Sequence, residues 1–290
     1  MAAPRRSRGR AIAVLIVILL VVVGGGGYVA AGFATANSKL NSSTDAYNKV
    51  TDDQNKLTDF FNKLSAQFSK NNLANDTVDS AKQEKSLFQQ AVTTSQSSLP
   101  TVTSDDQSLA NADASLSENS WLTAFSKSSL DKQSTKIEDL RAALKIAQTI
   151  LGDYIKYGSF YATLDDAVVD IDTMTTALNN HDISGAATAV QTLKSDLSKA
   201  QTEDVAGAGI ATEMASFVTT MQAVATDFGN LLSAAQAGNQ GGITSALNAI
   251  DADTAKLDKF DFNAMGNEEQ AFYKQLIDSY NSAVDKANKA

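Results

Sequence analysis

The chain has no cysteine, one histidine, one tryptophan and only two prolines in 290 residues. Without cysteine there is no disulfide, no thiolate metal ligand, no lipoprotein acylation site and no cysteine nucleophile. A body of this length can bury a core without disulfide staples, so the absence is compatible with export. The single histidine, His181, lies among Asn179, Asn180 and Asp182. With no second imidazole to share a metal or catalytic role, it reads as a solvent-exposed turn residue. The Glu-x-x-His pairs of di-iron bundles are missing too. Gly207, Gly209, Gly241 and Gly242 lack the strand and lysine of a phosphate loop, and no serine stands in a nucleophile elbow. No catalytic residue, metal or cofactor is therefore expected, and the chain reads as a non-enzyme.

Charge is divided unevenly along the chain. None of the 33 acidic residues precedes Asn37, while Arg5, Arg6, Arg8 and Arg10 crowd the amino terminus. Beyond them 20 basic residues face 33 acidic ones, a net of −13, and Arg141 is the only arginine. An acidic, arginine-poor body is a poor electrostatic match for phosphates, which excludes nucleic acid as the expected partner.

Following the basic residues 1–10, residues 11–36 are uncharged, with eleven Ile, Leu and Val between Ile12 and Val23. A helix of that length spans about 39 Å, against roughly 30 Å of bilayer hydrocarbon. The eleven aliphatic residues favour insertion by roughly 3 to 7 kcal/mol. The arginine cluster sets the orientation, amino terminus inside and body outside. Residues 11–36 are expected to be a single-pass transmembrane signal anchor in the cytoplasmic membrane. The alternative is a cleaved signal peptide and a secreted body, with Ala34 and Ala36 or Val29 and Ala31 framing the cleavage site.

The rest is written in helix. Pro100 is the only proline after residue 37, and apolar positions recur at steps of three and four. Tyr47, Val50, Gln54, Leu57, Phe61, Leu64 and Phe68 mark one stripe. Leu130, Gln133, Ile137, Leu140, Leu144, Ala147, Leu151 and Tyr154 mark another, and Val78, Ala81, Lys85, Phe88, Val92, Ser95 and Leu99 a weaker third. Asn75 and Asp76 are expected to cap a helix that Pro100 closes, and Ser104 to open the next. Residues 117–120 read as a break before Trp121, an anchor at a helix start. The fold class expected is all-α: the membrane or signal helix, then an elongated antiparallel bundle. The body divides into a coiled-coil-like bundle over 37–157 and a helical subdomain over 158–290.

That second part echoes itself at an offset of 57. Phe160, Leu164, Val168, Ile171, Met174 and Leu178 fall on Phe217, Met221, Ala225, Phe228, Leu231 and Ala235. Gly185, Ala189, Asp196 and Lys199 fall on Gly242, Ala246, Asp253 and Lys256. Each copy reads as helix, turn, helix, and a closing helix from about residue 267 turns Phe272, Leu276, Tyr280 and Val284 inward. The carboxylates at Asp165, Asp166, Asp170 and Asp172, and at Asp251, Asp253, Asp258 and Asp261, read as a solvated face without calcium-loop spacing.

Tyr154, Tyr157 and Tyr161 share one helical face; they are core residues on the commoner reading and ligand contacts on the sharper one. Three functions fit these features. The first is a non-enzymatic, membrane-anchored structural or interaction module of the cell envelope, with another envelope protein as partner. The second is a secreted helical protein binding a small ligand near the three tyrosines. The third is a sensor-like ectodomain acting through a partner.

Overall fold

Helices alone account for the regular structure of the described residues. The computed structural model describes residues 34–70, 77–117, 127–203 and 207–290. They form α1 (Ala34–Lys70), α2 (Val78–Ser117), α3 (Lys127–Asn179), α4 (Ile183–Thr202), α5 (Met214–Gln236), α6 (Gln240–Leu257) and α7 (Phe262–Lys289). The expected span at 11–36 lies outside the described residues up to position 33, and residues 34–36 open α1. No helix among the described residues is long and apolar enough to cross a membrane. The caps expected at Asn75 and Asp76, and the break before Trp121, also lie outside them.

The stripes read from the sequence become the bundle seams. Val50, Gln54, Phe61 and Leu64 of α1 are buried, as are Ile137, Leu140, Leu144, Leu151 and Tyr154 of α3. Polar bonds fix the directions. Lys39 of α1 donates to the Ser115 carbonyl (2.6 Å) and Lys49 to Asp105 (3.2 Å), which sets α1 antiparallel to α2. Arg141 pairs with Asp106 at 2.8 Å and Lys85 with Asp166, setting α2 antiparallel to α3. Tyr47 to Asn288 (3.3 Å) and Tyr280 to Gln54 (3.4 Å) lay α7 antiparallel along α1. Helices α1, α2, α3 and α7 thus make an up-and-down four-helix bundle. Helix α4 then packs on the second half of α3, α5 on α4, and α6 on α5.

Two expectations are corrected. Pro100 does not end a helix: α2 runs through it for 40 residues. The proline removes the hydrogen bond to the Gln96 carbonyl, an interior cost of about 3 kcal/mol. The core offsets that cost, because Phe88 and Ala91 before it and Val102 and Leu109 after it are buried in one cluster. The closing helix starts earlier than expected, at Phe262, where the Asp261 carboxylate accepts from the Asn263 and Ala264 amides. Its innermost residues are Met265, Glu269, Tyr273 and Ile277 as well as Val284. The boundary placed between residues 157 and 158 lies within α3, a 53-residue helix about 80 Å long. At that point Gly158 lets the helices touch: a Cβ there would stand 2.7 Å from Val92 Cγ2 and 3.2 Å from the Phe88 carbonyl oxygen.

The two turns 57 residues apart are bonded alike. His181 (φ 58°) and Gly238 (φ 64°) both take left-handed backbone. Asp182 accepts from the Gly185 amide at 2.8 Å, and Asn239 from the Gly242 amide at 3.0 Å. The Asp182 amide donates five residues back to Ala177, and the Asn239 amide five back to Ala234. These are helix ends closed by a left-handed residue and followed at once by an N-cap.

Candidate functional site

Where the four-helix bundle meets the two hairpins, five helices leave space between them. The start of α2, the middle of α3, the end of α4, and the starts of α5 and α7 enclose a cavity of about 80 Å³, open to solvent on one side. Its walls are mostly apolar, with Leu164, Val168, Leu197, Phe217 and Met221 among them. Met214 and Met265 add unbranched side chains that adjust to an irregular shape. Thr77 and Ser80 start α2 at the rim. Each accepts from the other's backbone amide (3.2 and 3.0 Å), a reciprocal cap that holds the first turn in place.

Three carboxyl groups face this apolar space: Glu84, Asp165 and Glu269, exposed by only 7%, 8% and 2%. They are not equivalent. Glu269 is fully engaged. Tyr161 donates to its Oε1 at 2.6 Å, Tyr157 to its Oε2 at 3.0 Å, and the Ala211 amide to Oε1 at 3.0 Å. Burial pushes the Glu269 carboxyl up, and the bonds from Tyr161, Ala211 and Tyr157 oppose that push. Burial also holds both tyrosines well above the usual phenol range, so they remain donors. Glu269 therefore pins α7 and the turn before α5 onto α3.

Asp165 is the opposite case. Its Oδ2 is buried and has no hydrogen-bond partner. Burial pushes the carboxyl up to about 9, with the charges of Glu84 and Asp166 adding to the rise and Lys85 opposing it. At neutral pH the group holds a proton and is a potential donor facing an apolar cavity. A buried polar atom with no partner costs about 1 to 3 kcal/mol, so its presence asks for an explanation. Asp165 also corrects the expected solvated face. Asp172, Asp251 and Asp258 are exposed as anticipated, Asp261 serves as a cap, and Asp166 is tied to Lys85, but Asp165 points inward. The chain matches no known protein family, no curated protein and no solved structure. Function must be read from this geometry.

The three tyrosines singled out by the sequence do converge. Tyr157 and Tyr161 rings lie 4.5 Å apart, and Tyr154 stacks on Tyr273 at 5.0 Å. Of the three, Tyr161 lines the cavity, while Tyr154 and Tyr157 are buried in the aromatic core behind it, with Phe61 and Phe88. Tyr273 completes the cluster and donates to the Ala208 carbonyl at 2.7 Å. Among the described residues no three His, Asp or Glu side chains converge as metal ligands. His181 is exposed on its turn.

Glu84 and Glu269 escape a reading of the sequence for one reason. Each occupies an inward position of its stripe, Ala81–Glu84–Phe88 and Met265–Glu269–Tyr273, where a carboxylate looks like a surface residue slightly out of phase. In α2 the inward position assigned to Lys85 belongs to Glu84, and Lys85 turns out to bridge Asp166.

Proposed function

We propose that the chain is a non-enzymatic helical binding protein of the extracytoplasmic space, tethered by residues 11–36, whose body takes a small and largely apolar ligand. The observation that carries this reading is the half-enclosed apolar cavity with a partnerless buried carboxyl on its wall. Ligand sites are concave, mostly apolar and furnished with a few polar groups, and this cavity has that make-up. Its place supports the reading as well. Helices α2, α3 and α7 belong to the bundle and α4 and α5 to the hairpins, so a bound molecule would touch both parts. The tether rests on the arginine cluster and the uncharged span of the sequence.

The test is a thermal-shift screen of the full chain with small amphiphiles, against a Val168→Phe variant. The added ring fills the cavity from a half-buried wall position. A true ligand at 100 times its Kd stabilises the wild type by about 2.7 kcal/mol. That gain is expected to vanish in Val168→Phe. If no compound gives a saturable shift that the variant removes, the reading is wrong. Protease added to intact cells checks the placement separately, and a protected body would refute it.

A structural or interaction module is the second reading. It is favoured by a broad surface groove of about 720 Å³ between α3 and α7, lined by Ile146 and Ala271 together with Asp139 and Lys274. Crosslinking from this groove to another envelope protein, with an unoccupied cavity, would favour it.

A further inference from the structure

The wall of the cavity says what kind of ligand suits it. Asp165 belongs to the lining, along with Glu84 and Glu269, and its Oδ2 is buried without a partner. The charged groups acting on it are Glu84 and Lys85 from α2 and Asp166 from α3, and Glu269 faces the same space from α7. The cavity residues supplied by α4 and α5, Leu197, Met214, Phe217 and Met221, carry no charge. Lys85, the one cation among these groups, is already bonded to Asp166. The site is therefore an apolar slot whose polar end is acidic, in a body that is itself strongly acidic.

A neutral acceptor would answer only the hydroxyl of a protonated Asp165. A cation would answer the acidic side chains of Glu84 and Glu269 as well, in surroundings where charges are poorly screened, whereas the charge of Asp166 is already met by Lys85. We propose that the cavity binds a small aliphatic ammonium ion, its nitrogen received by the Asp165 carboxyl next to Glu84 and its alkyl body lying along Leu164, Val168 and Met221. This rests on the ligand-binding reading above. On binding, the Asp165 carboxyl loses its proton to solvent and the ligand enters as the ammonium, so one proton leaves for each cation taken up. The N–H donors then meet the Asp165 carboxyl where it lines the cavity. Apolar walls exclude inorganic cations, which would forfeit their hydration for one side of carboxyls.

The experiment is isothermal titration calorimetry of the full chain at pH 7.5 with n-hexylammonium chloride, 1-hexanol and sodium hexanoate. Each titration is repeated in two buffers of different protonation enthalpy. We expect one hexylammonium site, at least tenfold tighter than hexanol, with hexanoate weakest. Its apparent enthalpy should change with the buffer in the sense of proton release. Asp165→Asn should lose the preference for the cation and keep hexanol binding, and Glu84→Gln should reduce the preference in part. Val168→Phe should abolish all three. Hexanol binding as tightly as hexylammonium, or a cation preference that survives in Asp165→Asn, overturns the ammonium assignment and leaves an apolar site standing. If none of the three probes gives heat that Val168→Phe removes, the space holds only water, and both the assignment and the ligand reading fall.

Discussion

Replacing Asp165 by asparagine is expected to make the protein more stable at pH 8 and to change how stability depends on pH. In the native chain the Asp165 carboxyl is raised to about 9 by burial and by its acidic neighbours. Unfolded, an aspartate titrates near about 3.9. Between those values the folded state holds a proton that the unfolded chain gives up, so stability falls as pH rises. The contribution is intact below about pH 4, declines through the interval, and is gone above about pH 9. The slope for one proton is about 1.4 kcal/mol per pH unit, so by pH 7 the loss relative to pH 4 is about 4 kcal/mol. Asparagine has nearly the same shape and no proton to lose. Its amide brings a second N–H that lacks an acceptor in the apolar wall, a cost of about 1 to 2 kcal/mol. The net expectation is a gain of about 2 to 3 kcal/mol at pH 7 and about 4 kcal/mol at pH 8, shrinking and then reversing towards pH 5. Asp153 and Asp170 are each raised to about 6 and act in the same direction, but over a lower interval. Urea unfolding followed by circular dichroism between pH 7 and 8.5 therefore isolates Asp165. Parallel pH profiles for the wild type and Asp165→Asn would refute the inward, protonated carboxyl.

Glu269→Ala leaves two tyrosine hydroxyls and the Ala211 amide without their acceptor, and should cost about 3 to 5 kcal/mol in urea unfolding. Glu269→Gln, which keeps one acceptor, should cost distinctly less; equal losses would mean that only shape matters at that position. Pro100→Ala restores a donor to an exposed helix position and should raise Tm, with a gain of up to about 3 kcal/mol. A fall in Tm would show that the helix bends there by necessity. Gly158→Val places carbon against Val92 and the Phe88 carbonyl, and should destabilise by about 2 kcal/mol or more, measured by the same unfolding curves.

Residue spacing alone makes the bundle legible. The Val50–Phe61–Leu64 and Ile137–Leu144–Leu151 stripes are buried because a helix that meets its neighbours along one seam advertises it every three or four residues. Periodicity loses its meaning where a helix is surrounded. Between Tyr157 and Ala167 α3 touches α2, α4 and α7 together, so nearly every residue is buried and the contrast between faces disappears. Asp165 sits in that stretch, which is why a carboxylate among apolar neighbours reads as surface. Pro100 misleads in another way, since local propensity predicts a stop and burial on both sides overrides it. The cavity itself leaves no mark in the sequence. It arises from five segments spread between Thr77 and Glu269, none of which carries a motif.

The uninterrupted α3 has a consequence for anyone who dissects this protein. Cutting after position 157 would sever a helix between Tyr157 and Phe160, two of its most deeply buried rings. The first fragment would lack the α7 that roofs it, and the second would present a raw apolar edge to water. An exchange, fusion or truncation with its joint at that position therefore breaks one continuous helix and the packing of α2 and α7 against it.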